Sequence, residues 1–302
     1  MTAPHHVPVL LSEVLTLLDP KAGETVLDVT LGLGGHAEAF FKKIGEHGRL
    51  IGLDADAQNL AHAEARLRKL PGHVDCRHAN FSAIADIDLP PIDILFADLG
   101  LSSPHVDDPE RGFTFREEVP LDLRYDRSSG VSAAAWLAQA SEDEVAQCLR
   151  EFGELPSAKR FARMLKEHKP TTTTAVVLAA EALYRWRAKA VLPQIFQALR
   201  IAVNDELGAL DALLSVGPSL LTPGGRMGVI SYHSLEDRRV KQVFRALSQA
   251  PKHLDTGQDV HPPFFTLLTR KAIVPSDDEV TVNPRSRSGK LRVIMRSVST
   301  PS

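Results

Sequence analysis

Apolar positions in the first hundred residues follow two rhythms. Short strand-like runs occur at 25–30 (TVLDVT), 49–53 (RLIGL), 74–78 (VDCRH) and 92–97 (IDILFA). Val26, Leu27 and Val29 follow one another with little polar interruption, which suits a strand buried on both faces of a parallel sheet. Between the strands, apolar residues recur at helical spacing over 8–18, 36–45 and 56–70, with Asp56 placed to cap the last helix. Strand and helix in alternation predict an α/β fold, a doubly wound and mostly parallel sheet that binds ligands at the carboxyl ends of its strands.

The rhythm then breaks. From about residue 106 to 189 there is no strand pattern, and helical runs at 133–140, 142–152, 157–168 and 174–187 predict an inserted all-helical domain. A long amphipathic helix is expected over 194–221, with Ile195, Leu199, Val203, Leu207, Leu210 and Leu214 along one side. Pro223, Gly224 and Gly225 stop it ahead of a fifth strand at 226–231. The last third reads as a helix at 235–246, a loop, and strands at 264–268 and 291–295. These patterns divide the chain into an α/β domain, 1–106 with 190–302, and a helical insertion, 107–189.

Composition narrows the class. The 302 residues are 43% hydrophobic and 24% charged, ordinary for a globular protein of about two domains. The net charge of −3 argues against a wholly electrostatic nucleic-acid binder but leaves room for local basic patches. Cys76 and Cys148 are too far apart for a disulfide framework or a cysteine zinc site, and the histidines form no metal constellation. His5 and His6 read as an ordinary terminus. Glu13 and Asp19 interrupt the first apolar run, so no signal peptide or membrane segment is expected, and the expected location is cytoplasmic.

The stretch ETVLDVTLGLGGH carries the first candidate chemistry. Gly32, Gly34 and Gly35 allow a sharp turn and a close backbone approach to a ligand. With Ala37 they fit the dinucleotide fingerprint, and Asp54, ending the second strand, stands where an acid binds ribose hydroxyls. That pattern serves NAD or S-adenosylmethionine (SAM). Two features favour SAM: Asp28, an acid suited to an ammonium but crowding a pyrophosphate, and the polar cluster ending the fourth strand.

That cluster is DLGLSSPHVDDPERGF, residues 98–113. An aromatic amine attacks poorly because its lone pair is delocalised, so acceptors must polarise its N–H bonds while the methyl is held in line. Asp98 and the following turn, with Ser102, are candidates for that work. Positioning alone can contribute ~7–11 kcal/mol, against ~10²–10⁴-fold for a general base. The plain alternative makes Asp98 a helix N-cap. His105 is a ligand contact or a surface histidine. In SYHSLEDRR, Tyr232 is suited to stack on a base and His233 or Ser234 to hydrogen-bond it; Ser234 and Asp237 also fit a capping box. A hydrolase triad is improbable without a G-x-S-x-G elbow. Basic residues gather in the C-terminal tail (Arg285, Arg287, Lys290, Arg292, Arg296) and in the insertion (Lys159, Arg160, Arg163, Lys166, Lys169), suited to phosphates. Phe113 and Phe115 either stack bases or pack a hinge.

HVPVLLSEVL, DVTLGLGGH, DLGLSSPHVDDPERGFTF, PLDLRYD, FQALRIAVNDEL, PGGRMGVISYHSLEDRRVK and NPRSRSGKLRV, spread over nearly the whole chain, resemble the bacterial 16S rRNA (cytosine-N4) methyltransferase family (RsmH, also called MraW). The resemblance implies a class I SAM methyltransferase whose helical insertion handles substrate. It implies SAM contacts at Gly34, Gly35, His36, Asp54, Phe81, Asp98 and His105, to which the reading of the residues adds Asp28 and Gly32. Phe81 would cover adenine, or else is a core aromatic. The candidate catalytic residues are Asp98, Ser102, Tyr232 and His233, and the candidate RNA contacts are Arg285, Arg287, Lys290, Arg292, Lys159 and Arg163. The implied substrate is the N4 amine of a cytosine in 16S rRNA, with the small ribosomal subunit as partner and no metal or membrane. The chain departs from the family at Val29 and over 191–195, where Val191, Leu192, Pro193, Gln194 and Ile195 replace a more polar run beside the expected substrate face. The rival functions are a small-molecule N-methyltransferase and a non-catalytic, SAM-binding ribosome-associated module. The residues fix no oligomeric state.

Overall fold

The computed structural model describes residues 8–253 and 258–298; His5 and His6 lie outside the described residues. Helix α1 (Leu11–Leu18) precedes β1 (Thr25–Asp28), α2 (Gly35–Ile44), β2 (Arg49–Asp54), α3 (Ala57–Leu67), β3 (His73–His78) and β4 (Ile92–Asp98). Helices α4 (Ser103–Asp107), α5 (Ala133–Gln139), α6 (Glu142–Glu151), α7 (Ala158–His168), α8 (Thr173–Tyr184) and α9 (Ala188–Asn204) follow. The chain then runs through α10 (Glu206–Leu220), β5 (Leu221–Ser231), α11 (Ser234–Leu247), β6 (Phe265–Leu267), α12 (Asp277–Val282) and β7 (Lys290–Arg296). It divides into two compact units, one of residues 1–100 and 208–302, the other Leu101–Leu207. The helical unit therefore starts earlier and ends later than the sequence bounds of 107 and 189. Among the described residues no helix is long and apolar enough to cross a membrane.

The first unit is a sheet of strand order β3-β2-β1-β4-β5-β7-β6. Neighbouring strands from β3 to β5 pair in parallel, while β7 is antiparallel to both β5 and β6. This is the doubly wound, mostly parallel α/β sheet that the strand–helix alternation implies. The order reverses between β1 and β4, which opens a crevice at their carboxyl ends.

Adjacent side chains of the central strands serve opposite faces. Val26, Leu50, Ile94 and Phe96 pack with Val14, Leu18, Phe40, Phe41 and Ile44 from α1 and α2. Their neighbours Leu27, Ile51, Leu95 and Ala97 pack with Leu210, Leu213, Leu214, Val240 and Phe244 from α10 and α11. Both faces are dry, so the strands read as continuous apolar runs. Arg226 on β5 ties the sheet to its first helix. Its guanidinium takes both carboxylate oxygens of Glu24, at 2.7 and 3.0 Å, and donates to the Leu18 and Asp19 carbonyls that α1 leaves unsatisfied.

Three expectations are corrected. The single helix expected over 194–221 is two, because Asp205 turns left-handed (φ 46°) between α9 and α10. The fifth strand begins at Leu221, and its register with β4 shifts between Ile92 and Ile94, so the Pro223-Gly224-Gly225 run is an irregularity within the strand. The basic C-terminal segment is no tail: β7 lies inside the sheet, between β5 and β6.

The second unit packs α5 to α9 around Phe161, Leu149, Leu165, Ile195 and Leu199. Its helices start at polar caps, as their sequences suggest: Ser132 accepts from the Ala135 N–H, and Ser141 and Glu144 form a reciprocal capping box. Lys166 of α7 donates to the carbonyls of Leu137, Ala138 and Ala140 at the end of α5. The motif FQALRIAVNDEL does similar work. Asn204 accepts from the Tyr125 N–H and donates to the Leu123 carbonyl, while Glu206 receives Arg200 at 2.7 Å and the Tyr125 hydroxyl at 3.0 Å.

Candidate functional site

The candidate site lies where β1 and β4 end. Beyond β1 the chain turns through Gly32 and Gly34, both left-handed at φ 52° and 76°, and enters α2. The three glycines have different reasons. A Cβ on Gly35 would meet Pro8 at 2.7 Å and one on Gly34 would meet Ala63 at 3.3 Å, so these two are held by packing. Gly32 has only the Thr30 carbonyl within 4 Å of its Cβ position, and that face of the turn is open. Asp54, ending β2, accepts the Gly32 N–H at 2.6 Å and the Asp56 N–H at 2.7 Å. Its carboxylate fixes the turn from beneath, an arrangement the ribose reading alone did not anticipate.

Three carboxylates converge on this turn. Asp28, at 1% exposure, is held by the backbone and hydroxyl of Thr30. Burial pushes its carboxyl up to about 7, and the nearby charges of Asp98 and Asp54 push the same way. Thr30, which the sequence reading passed over, links two of the three: its hydroxyl lies 3.4 Å from Asp28 Oδ1 and accepts the Asp98 N–H at 2.6 Å. An acid kept partly neutral by burial, and further by its acidic neighbours, is suited to a cation, because a bound ammonium or sulfonium would favour its charged form. The open side of Gly32, the Asp54 carboxylate and Asp28 thus fit a nucleoside bearing a cationic tail. They suit a pyrophosphate poorly, since three acids would face its charge.

Asp98 is not a helix N-cap; α4 begins five residues later, with Ser102 as its cap. One Asp98 oxygen accepts the Tyr232 hydroxyl at 2.7 Å, and the other lies 3.7 Å from Nδ1 of His36. His36 Nε2 stands 2.9 Å from the Val9 carbonyl, which can only accept, so Nε2 carries the ring proton. The buried imidazole packs against Phe96 with centroids 4.7 Å apart. His36 therefore links Val9, just ahead of α1, to Phe96 of β4 through its side chain.

Tyr232 was expected to stack on a base. Its ring instead covers Gly100, where a Cβ would come within 2.9 Å, and its hydroxyl is engaged by Asp98. Burial, then the Asp98 charge, raises its pKa well above the ordinary 10, so the hydroxyl remains a donor. His233, not Ser234, caps α11, and Glu236 completes the box in place of Asp237. The Glu236 carboxylate accepts the backbone N–H groups of Tyr232 and His233 and fixes the β5–α11 corner. Phe81 is half-buried against the core beneath β1 and β2.

In the helical unit, Ser102 and His105 form the cap of α4, and His105 is buried. Its ring stacks on Tyr125 at 5.2 Å and tilts against Phe113 at 5.4 Å, so it is no surface histidine. Phe113 stacks on Tyr125 and Phe115 packs on Phe196, which favours their packing role over base stacking.

The candidate RNA contacts divide. Arg285 and Arg287 are exposed in the turn Pro284–Ser288. Arg292, 12% exposed, donates to Asp237 at 2.7 Å, and Lys290 stands 3.8 Å from the same carboxylate. Arg292 is thus corrected from a phosphate contact to a structural ion pair. Lys159 and Arg163 remain exposed but lie near Asp143 and Glu142, at 3.8 and 3.5 Å.

The profile of the MraW methylase family matches residues 3–297. The chain is 43% identical to the ribosomal RNA small subunit methyltransferase H of Geobacter sp. (strain M21), over 96% of this chain and 98% of that protein. The protein of the same name from Myxococcus xanthus (strain DK1622) is also 43% identical, over 96% of each chain. A solved rRNA methylase from Streptococcus thermophilus aligns with a TM-score of 0.42 at 14% identity, covering 98% of this chain and 99% of that one. On a profile match across nearly its full length, this chain belongs to the MraW methylase family.

Proposed function

We propose that the protein transfers a methyl group from S-adenosylmethionine to the exocyclic N4 amine of a cytosine in the 16S rRNA of the small ribosomal subunit. SAM supplies an electrophilic methyl on a sulfonium. The observation that carries the reading is Asp98: a carboxylate fixed at the end of β4 by Tyr232 and by Thr30, beside the glycine turn.

Each residue has a role in this reading. Gly32, Gly34, Gly35 and Asp54 shape the nucleoside side, Asp28 answers the cationic tail, and Phe81 borders the base. Asp98 accepts an N–H of the attacking amine, which localises the nitrogen lone pair. The new C–N bond forms as the sulfonium S–C bond breaks, and one amine proton leaves toward the carboxylate. Most of the rate gain comes from alignment, worth ~7–11 kcal/mol in well-oriented systems. His105 and Ser102 order the start of the helical unit, which supports substrate handling by Arg163 and Lys159; Arg285 and Arg287 meet phosphates.

The test is incubation of purified protein with labelled SAM and small subunits from a strain lacking this methylation, followed by mass spectrometry of the rRNA. A single added methyl on one cytosine N4 is expected; unmodified RNA refutes the reading. Truncating at residue 284 would remove β7 and unfold the sheet, so the rival small-molecule reading is tested by Arg285→Ala with Arg287→Ala. That pair should weaken modification of subunits in a salt-dependent way.

A further inference from the structure

Two classes of cation are present in the helical unit. Lys166 is spent on the carbonyls that end α5, and Lys159 and Arg163 lie beside acids. Arg185, Arg187 and Lys189 differ: all three are exposed, and none has an ion-pair partner among the described residues. They surround Trp186, which is 87% exposed, the most of any large hydrophobic residue described. The Arg187 guanidinium stands 5.9 Å from the indole centroid.

The local backbone builds this display. Helix α8 ends at Tyr184, whose buried ring packs on Phe161 and whose hydroxyl donates to the Pro156 carbonyl. Arg185 then adopts a left-handed φ of 51°, and the turn Arg185–Arg187 carries Trp186 outward before α9 begins. A non-glycine residue held in such a sparsely populated backbone region costs on the order of 1–3 kcal/mol. Burying Trp186 in its own unit would have returned far more apolar area than a turn of this kind gains. Leu178, 59% exposed, lies on the outer face of α8, and the one acid nearby along the chain is Glu181.

An indole held outward among three free cations fits one chemistry: a flat base face above, phosphates to either side. We propose that the turn Arg185–Arg187, with Lys189, is a docking point for an unpaired nucleotide of the substrate RNA. Trp186 stacks on its base, and Arg187 and Lys189 meet the flanking phosphates. This deepens the rRNA reading and rests on it for the identity of the RNA. An indole is sequence-tolerant, so the contact adds affinity and register and leaves the choice of cytosine to the site at Asp98.

The test uses the full-length protein. Trp136 and Trp186 are its only tryptophans, so Trp136→Phe leaves Trp186 as the single indole reporter. Titration of that variant with single-stranded RNA should quench its fluorescence to saturation. Against small ribosomal subunits, Trp186→Ala should raise Kd roughly five- to hundredfold and Trp186→Phe should restore most of it. Arg187→Ala should lower the salt slope by about 0.7, the value for one single-strand phosphate. SAM affinity and thermal stability should be unchanged in all three. Absent quenching with an unchanged Kd for Trp186→Ala overturns the proposal. So does a Trp186→Ala effect confined to self-association, which would assign the surface to a second copy of the chain. Methylation by the wild type is measured in parallel: its absence sinks the rRNA reading, whereas methylation with an unaltered KM in Trp186→Ala sinks only this inference.

Discussion

The hydroxyl of Tyr232 donates a 2.7 Å hydrogen bond to Oδ1 of Asp98, joining the residue just past β5 to the last residue of its parallel neighbour β4. The bond restricts Asp98 to one rotamer and orients its other oxygen. Hydrogen bonds to charged groups are worth about 1.5–3 kcal/mol. Tyr232→Phe keeps the ring over Gly100 and removes only the donor. It should lower kcat roughly tenfold or more with SAM affinity within about twofold of wild type. Single-turnover methylation and calorimetry of SAM separate the two; a large loss of SAM affinity with normal turnover would contradict this role.

Asp28 makes the protein pH-sensitive in a definite direction. Its carboxyl is pushed up to about 7 in the fold, chiefly by burial, against about 4 in the unfolded chain. Between these values the folded state holds the extra proton, so stability falls as pH rises from about 4 to about 7 and is level above. Asp28→Asn should remove that decline and be relatively more stable at pH 8, seen as a flatter Tm against pH. In the proposed site the cationic tail of SAM meets the ionised form of Asp28, so wild-type affinity is expected to tighten between pH 6 and 8, while the weaker affinity of Asp28→Asn stays flat.

Thr30 couples Asp28 to the backbone of Asp98. Thr30→Val retains the shape and removes the acceptor of the Asp98 N–H, at a cost of about 1 kcal/mol, the low end of the range because that bond is only part-buried. The expected result is a lower Tm together with weakened SAM binding, because both carboxylates lose their reference. Unaltered SAM affinity in a folded Thr30→Val would show that the two acids are set independently.

Arg292 looks like a phosphate contact in the sequence and behaves as a structural residue in the fold. Arg292→Ala would leave Asp237 poorly paired at 16% side-chain exposure, with Lys290 3.8 Å away. The expected loss is about 2–3 kcal/mol of stability, below the 3–5 kcal/mol of a fully buried pair. Denaturant unfolding measures it. The salt slope of subunit binding should be unchanged, in contrast to Arg287→Ala.

The sheet was legible because parallel strands buried on both faces carry apolar residues at successive positions, and Val26 with Leu27, or Ile94 with Leu95, show that directly. The glycine turn, Asp54 and Asp98 were legible because they stand at strand ends, where the fold class places ligands. The helical insertion was legible from the loss of strand pattern, though its limits were not, since α9 is amphipathic and could serve either unit. Partners were the hidden part. A local pattern shows that Arg292 is basic, but its pairing with Asp237 brings together positions 55 residues apart. Tyr232 and Asp98 are 134 residues apart, and no local rule distinguishes a tyrosine aimed at a base from one aimed at a carboxylate.

Sequence by itself therefore determined the α/β alternation, the helical insertion and the acids and glycines at the strand ends, because those follow from periodicity and backbone freedom within a few residues. Tertiary structure alone decided which face each glycine guards, that β7 enters the sheet between β5 and β6, and which cations stay free. The reason is physical. Hydrogen bonds and ion pairs act over about 3–4 Å, and only the folded chain brings such distant positions within that reach.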